Sequence, residues 1–185
     1  MNITRGHSSP FLVLGAMLLM VACAGSKVAE GGRQLGDVAV TVNPPGGRGA
    51  DAVFTITYSS GAGSPARELR ILLNSVVDGR NACYVYYDRA TNSFALVKDG
   101  GSETTSLPVG HPGVIENSQC SLDGAKSSVQ VDANTAKVQV GLQFKRSFAG
   151  KKNIYAYVED ASGSNTGLQH RGSWIVPSEE FPNQK

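Results

Sequence analysis

An alternation of apolar and polar residues with a period of two runs through most of this chain and constrains its fold more than any other feature. Val38, Val40 and Val42 alternate with Ala39 and Thr41, and Phe54, Ile56 and Tyr58 with Thr55 and Thr57. The same spacing sets Leu69, Ile71 and Leu73, then Cys83, Val85 and Tyr87, then Phe94 and Leu96. It returns at Val129 and Val131, at Val138, Val140, Leu142 and Phe144, at Ile154, Ala156 and Val158, and at Trp174 and Val176. Successive side chains of a strand point to opposite faces, so each segment reads as a half-buried strand. Nine such segments, parted by Gly, Asn, Asp and Pro turns, predict an all-β sandwich. No window carries a sustained 3.6-residue apolar stripe, so helical folds have no candidate segment.

The ends of the chain have a different character. Residues 1–10 hold Arg5 and no acid, residues 11–21 are an uncharged apolar run, and small residues follow at Ala22, Ala24, Gly25 and Ser26. These are the three regions of a secretory signal peptide. An apolar run of 11 residues is too short for a bilayer core, which needs roughly 20. The string Met20-Val21-Ala22-Cys23 resembles a bacterial lipobox, although that pattern prefers Leu at the position of Met20. The resemblance implies cleavage before Cys23 and its lipidation. The expected organisation is a signal peptide over 1–22, a lipidated Cys23 with a flexible tether over 23–36, one domain over 37–177, and a disordered polar tail over 178–185.

Export gives the cysteines their meaning. With Cys23 acylated, Cys83 and Cys120 remain, and an even remainder in an exported chain predicts one disulfide. A metal site would need further close-spaced ligands, and a nucleophilic thiol would need a base; neither cysteine has a histidine within 8 residues.

Two blocks around these cysteines carry a resemblance. They are Asn81-Ala82-Cys83-Tyr84-Val85-Tyr86-Tyr87-Asp88-Arg89-Ala90-Thr91-Asn92 and Asn117-Ser118-Gln119-Cys120. With Phe144-Lys145, Phe148-Ala149-Gly150, Lys152-Asn153-Ile154-Tyr155 and Gly172-Ser173-Trp174, they resemble an immunoglobulin-like or fibronectin-type-III-like module of large secreted bacterial proteins. The resemblance implies an antiparallel immunoglobulin-like sandwich of about 7–9 strands. In that family the module recurs as a spacer or surface domain and brings no catalytic residues. A single copy behind a lipobox departs from that pattern.

Chemistry-bearing motifs are few. Gly61-Ala62-Gly63-Ser64-Pro65-Ala66 matches a dinucleotide fingerprint in letters, but that site needs a βαβ unit and an acid about 20 residues on. A Gly/Ser/Pro loop between strands is the expected reading. Beyond the leader the only histidines are His111 and His170, with no nucleophile elbow or zinc-protease motif. The acids Asp88, Asp99, Glu159 and Asp160 stand where turns and strand ends place them, and Asp160-Ala161-Ser162-Gly163-Ser164-Asn165 offers too few carboxylates for calcium. No catalytic residue, metal or cofactor is expected. Seventeen basic against 15 acidic residues give no electrostatic footprint for nucleic acid.

Two features point to binding. If Cys83, Val85 and Tyr87 face inward, Tyr84 and Tyr86 face outward; by the same parity Tyr155 and Tyr157 stand opposite Ile154, Ala156 and Val158. On a shared sheet these four tyrosines form a strip suited to sugar rings or a protein partner, or they pack on one another as cross-strand pairs. The second is Lys145-Arg146-Ser147-Phe148-Ala149-Gly150-Lys151-Lys152, expected as a hairpin loop whose four cations meet anionic lipid or acidic polysaccharide, or simply keep the surface soluble. The expected function is a non-catalytic envelope lipoprotein, membrane-anchored through its lipid on the periplasmic side or cell surface. It would bind a polysaccharide or an envelope protein; the alternatives are a passive spacer domain and, least supported, an enzyme.

Overall fold

The computed structural model describes residues 35, 38–61 and 64–179. The expected signal peptide, Cys23, and most of the expected tether and tail lie outside these residues. Among the described residues twelve strands form two sheets. The five-stranded sheet has the order β1 (Val38–Asn43), β3 (Asp51–Ser60), β10 (Thr135–Phe144), β9 (Cys120–Val131), β8 (Val114–Glu116). The seven-stranded sheet has the order β2 (Gly46–Arg48), β12 (Gln169–Val176), β11 (Gly150–Asp160), β4 (Ala66–Asn74), β5 (Cys83–Asp88), β6 (Ser93–Val97), β7 (Thr104–Pro108).

This order is that of an immunoglobulin sandwich. The strands β1, β3, β10 and β9 take the A, B, E and D places. The strands β12, β11, β4, β5 and β6 take G, F, C, C′ and C″, as in a variable-type domain. Pairing is antiparallel except between β2 and β12, which run parallel. The chain passes from one sheet to the other at Pro44-Pro45, where two missing N–H groups end the β1 ladder.

The alternating apolar residues meet between the sheets. Phe54, Ile56 and Tyr58 pack with Val138, Val140, Leu142 and Phe144 from one side, and with Leu69, Ile71, Leu73, Val85, Ile154, Ala156 and Val158 from the other. Trp174 closes the β2 end of this layer, edge-on to Phe54 at 5.3 Å, and donates its indole N–H to the Gly49 carbonyl at 3.0 Å. Gly172 lets Pro45 approach so closely that a Cβ there would lie 1.6 Å from the Pro45 oxygen. Cys83 on β5 and Cys120 on β9 join the sheets by a disulfide with sulfurs 2.01 Å apart, both residues fully buried.

Three strands escape the alternation. β2, β7 and β8 are 3, 5 and 3 residues long and too short or too polar to show a period. The connection over 99–118, which reads as one long loop, contains two of them. Asn117 pins it: its Nδ2 donates to the carbonyls of Ala82 and Val97, both at 2.8 Å, and its Oδ1 accepts from the N–H groups of Gln119 and Cys120. The strand marked by Val129 and Val131 extends back to Cys120, its pattern broken by an irregularity opposite Gln139–Gly141.

Candidate functional site

Both tyrosine-bearing strands flank β4, so their outward side chains share the outer face of the seven-stranded sheet. Register aligns them in rows. One row runs His170, Tyr155, Leu72, Tyr84. The next runs Tyr157, Arg70, Tyr86, Ala95, Ser106. A third, Glu159, Glu68, Asp88, Ser93, forms an acidic rim.

Depth varies within the face. Tyr84 points outward from β5 yet is only 7% exposed, with Leu72, Ala82 and Val97 buried around it in a second, smaller apolar cluster. Gly79, in the loop that leads into β5, packs on the Tyr84 ring. The solvent-facing placement expected for Tyr84 is therefore corrected: strand parity fixes its side, and the covering loop fixes its depth. Tyr86 and Tyr155 are half-buried against this cluster, Tyr157 is half-buried beside Arg70, and His170 is exposed. Tyr86 meets Tyr84 edge-on at 4.6 Å, and Tyr155 meets His170 edge-on at 5.6 Å.

Arg70 is the centre of the face. Its guanidinium lies over Tyr86 at 4.6 Å and over Tyr157 at 4.4 Å, and its Nε donates to Glu68. Burial opposes the charge on Arg70, but the hydrogen bonds and charges of Glu68 and Tyr84 together outweigh it, so the group titrates above its ordinary value. Burial also raises the Tyr86 hydroxyl. Tyr157 is pushed up to about 12, first by burial and then by donating to Glu159 at 2.9 Å. Rings clamping a cation form a stiff platform, with apolar faces and a polar edge, and each such contact contributes roughly 0.5–2 kcal/mol. Arg70 and His170 gave little sequence signal. The run Ile71-Leu72-Leu73 gave one, because an apolar break in alternation means that both faces are covered.

The basic run is not a hairpin. β10 and β11 belong to different sheets, so residues 145–149 cross between them through a short 3-10 turn, Arg146–Phe148. Phe144 stacks on Phe148 to anchor the crossing. Its cations part company there. Lys145 pairs with Glu116 at 2.5 Å, and Lys152 lies over the Phe148 ring at 4.2 Å with its pKa lowered by burial. Arg146 donates from Nε to the Ser178 carbonyl, and Lys151 is exposed.

The remaining motifs serve turns. Ala66–Asn74 after the fingerprint-like loop is a strand, which leaves no helix for a dinucleotide. Asp160 is buried and its Oδ1 accepts from Ser162 N, Ser162 Oγ and Ser164 N, a self-satisfied turn. Asp88 accepts from the N–H groups of Ala90 and Thr91, and Asp99 accepts from Ser118. His111 lies between β7 and β8, whereas His170 is on β12, with four strands of the sheet between it and β7. Among the described residues no three His, Cys, Asp or Glu side chains converge as a metal site. No helix of these residues is long and apolar enough to cross a membrane.

The chain matches no family model and no curated protein sequence. Among solved structures it is similar to murine CRIg at 9% identity and a TM-score of 0.37, over 77% of this chain and 98% of that one. At that score the likeness carries no argument, and the assignment rests on strand order; the disulfide joins β5 to β9, not the B and F places, β3 and β11.

Proposed function

We propose that this protein is a non-catalytic binding module of the bacterial cell envelope, exported, held to a membrane by a lipid on Cys23, and recognising a glycan through the outer face of its seven-stranded sheet. The envelope location and the anchor draw on the leader and the lipobox-like string alone. The binding role draws on one observation: Tyr86, Tyr155, Tyr157 and His170 share one face with the clamped Arg70 at its centre. Sugar rings present C–H faces to such rings and hydroxyl edges to the acidic rim of Glu68, Asp88 and Glu159. The opposite outer face supports the same choice, since its central row is Thr41, Thr57, Lys137 and Gln130, without an aromatic residue.

The second reading is a passive structural domain. The burial of Tyr84 and the packing of the tyrosines on one another favour it. Binding of the purified protein to a panel of envelope polysaccharides separates the two. Tyr155→Ala and His170→Ala, at the open end of the row, are expected to weaken binding about 2- to 10-fold each while the fold persists. Folded variants that bind as tightly as the parent, or a parent that binds no glycan in the panel, would leave the passive reading.

A further inference from the structure

A recess of about 270 Å³ lies at one end of the seven-stranded sheet, among the turns that join β3 to β4, β5 to β6 and β11 to β12. Pro65, Ala66, Arg67, Arg89, Ala90 and Ala161 line it. Sites that take a whole small ligand run to roughly 300–1,000 Å³, so this one suits a single group of a larger ligand. Its walls are fixed. The Ala161 N–H donates to the Pro65 carbonyl at 3.0 Å, the Arg89 N–H to the Arg67 carbonyl at 2.9 Å, and the Ala90 N–H to the Asp88 carboxylate at 2.7 Å. The recess continues the tyrosine face. Glu159 accepts from Tyr157 on one oxygen and from Arg67 on the other, both at 2.9 Å. Arg67 stands three residues before Arg70 on β4, about 10 Å along the strand.

Three alanines and a proline make the walls apolar, and Arg89 supplies donors. Among the described residues Arg89 makes no ion pair, and its Nη1 is buried without an acceptor. An unmatched donor costs free energy, and a guanidinium has five, so an oxygen that enters the recess finds others on the same head. The charges say what kind of oxygen. Arg67 and Arg89 stand against Asp88, Glu159 and Asp160, and Glu68 with Arg70 cancels, so the rim is net negative and disfavours a carboxylate or phosphate. An acyl carbonyl brings the oxygen without the charge, and its methyl suits alanine walls. An amide, unlike an ester, also brings an N–H for the rim carboxylates. We infer that the recess takes the acetamido group of an N-acetylated sugar: the methyl packs on Ala66, Ala90 and Ala161, and the carbonyl oxygen accepts from Arg89. The inference rests on the glycan reading of the tyrosine face and names its substrate class. A ring on Tyr157 and an acetamido group in the recess belong to neighbouring units of one chain.

Calorimetric titration of the full chain with two tetrasaccharides of the same β1,4 linkage, one of N-acetylglucosamine and one of glucose, isolates the acetamido group. The first is expected to bind at least about 10-fold tighter, since burying a methyl contributes about 4-fold and a hydrogen bond to a charged donor about 10-fold or more. Arg89→Met removes the donor and Ala90→Leu fills the recess. Each should bring the N-acetylglucosamine tetramer down toward the glucose tetramer and leave the glucose tetramer unchanged, whereas Tyr155→Ala should weaken both. Equal affinity of the parent for the two oligomers, or folded Arg89→Met and Ala90→Leu variants that keep the preference, would overturn the inference and leave the glycan reading standing. A parent that binds neither oligomer also overturns it, and the polysaccharide panel then decides the glycan reading.

Discussion

Arg70 shows how much one side chain can organise on a strand. By parity alone it is an exposed cation between Leu69 and Ile71, but the rings of Tyr86 and Tyr157 on the two neighbouring strands close over it, and Glu68 fixes its Nε. The tyrosines take on the cost of that packing as raised pKa values. An unfolded tyrosine titrates near 10, so Tyr157, at about 12 through burial and its bond to Glu159, holds its proton more tightly in the folded state. Its contribution to stability is then full below pH of about 10 and is lost as pH rises through about 12. Urea unfolding followed across that window should show a falling midpoint, and Tyr157→Phe should flatten part of the fall. Tyr58, Tyr86 and Tyr87, raised chiefly by burial, account for what remains. A midpoint that falls equally steeply in Tyr157→Phe contradicts this assignment.

The elements were legible in the sequence wherever a strand is long and has one face in the core. The alternation of Val138 to Phe144 reads directly as β10 because each second residue is buried between the sheets. It fails for β8, where only Ile115 of Val114–Glu116 is buried, and for β9, where an irregularity interrupts the pairing. Parity also says nothing of which sheet a strand joins, and so the crossing at residues 145–149 reads from sequence as a hairpin. Of the candidate site, the side of each tyrosine was legible, but the burial of Tyr84 and the part played by Arg70 depend on neighbours distant in the chain. The disulfide was legible through cysteine parity. It ties β5 to β9 across a sequence separation of 37, and closing a loop of that length contributes about 4 kcal/mol in the chain-entropy model. Replacing Cys83 and Cys120 together by Ala should lower the free energy of unfolding by about that amount, with a further loss from the space left in the core. A change below about 1 kcal/mol would mean that Asn117 and the strand pairing hold the 99–118 connection without it.

At the scale of the whole molecule the sandwich is unlike on its two outer faces and at its two ends. One face is a Thr, Ser and Gln surface; the other carries the aromatic rows. The chain enters β1 beside the end of β11, where Leu35 donates to the Asn165 carbonyl, and the loop between β4 and β5 lies beside the start of β11, where Asn153 donates to the Ser75 carbonyl. The 11 residues of β11 put these ends roughly 36 Å apart. The entry into β1 and the loop between β4 and β5 thus lie at opposite ends of the sandwich, with the sheet faces between them. The most direct test is to map amide chemical shifts of the folded domain while titrating in a glycan that it binds. The account predicts shifts concentrated at residues 155, 157, 170, 70 and 86, with the row at 41, 57, 137 and 130 unmoved. Shifts on the five-stranded face, or spread evenly over the surface, would contradict it.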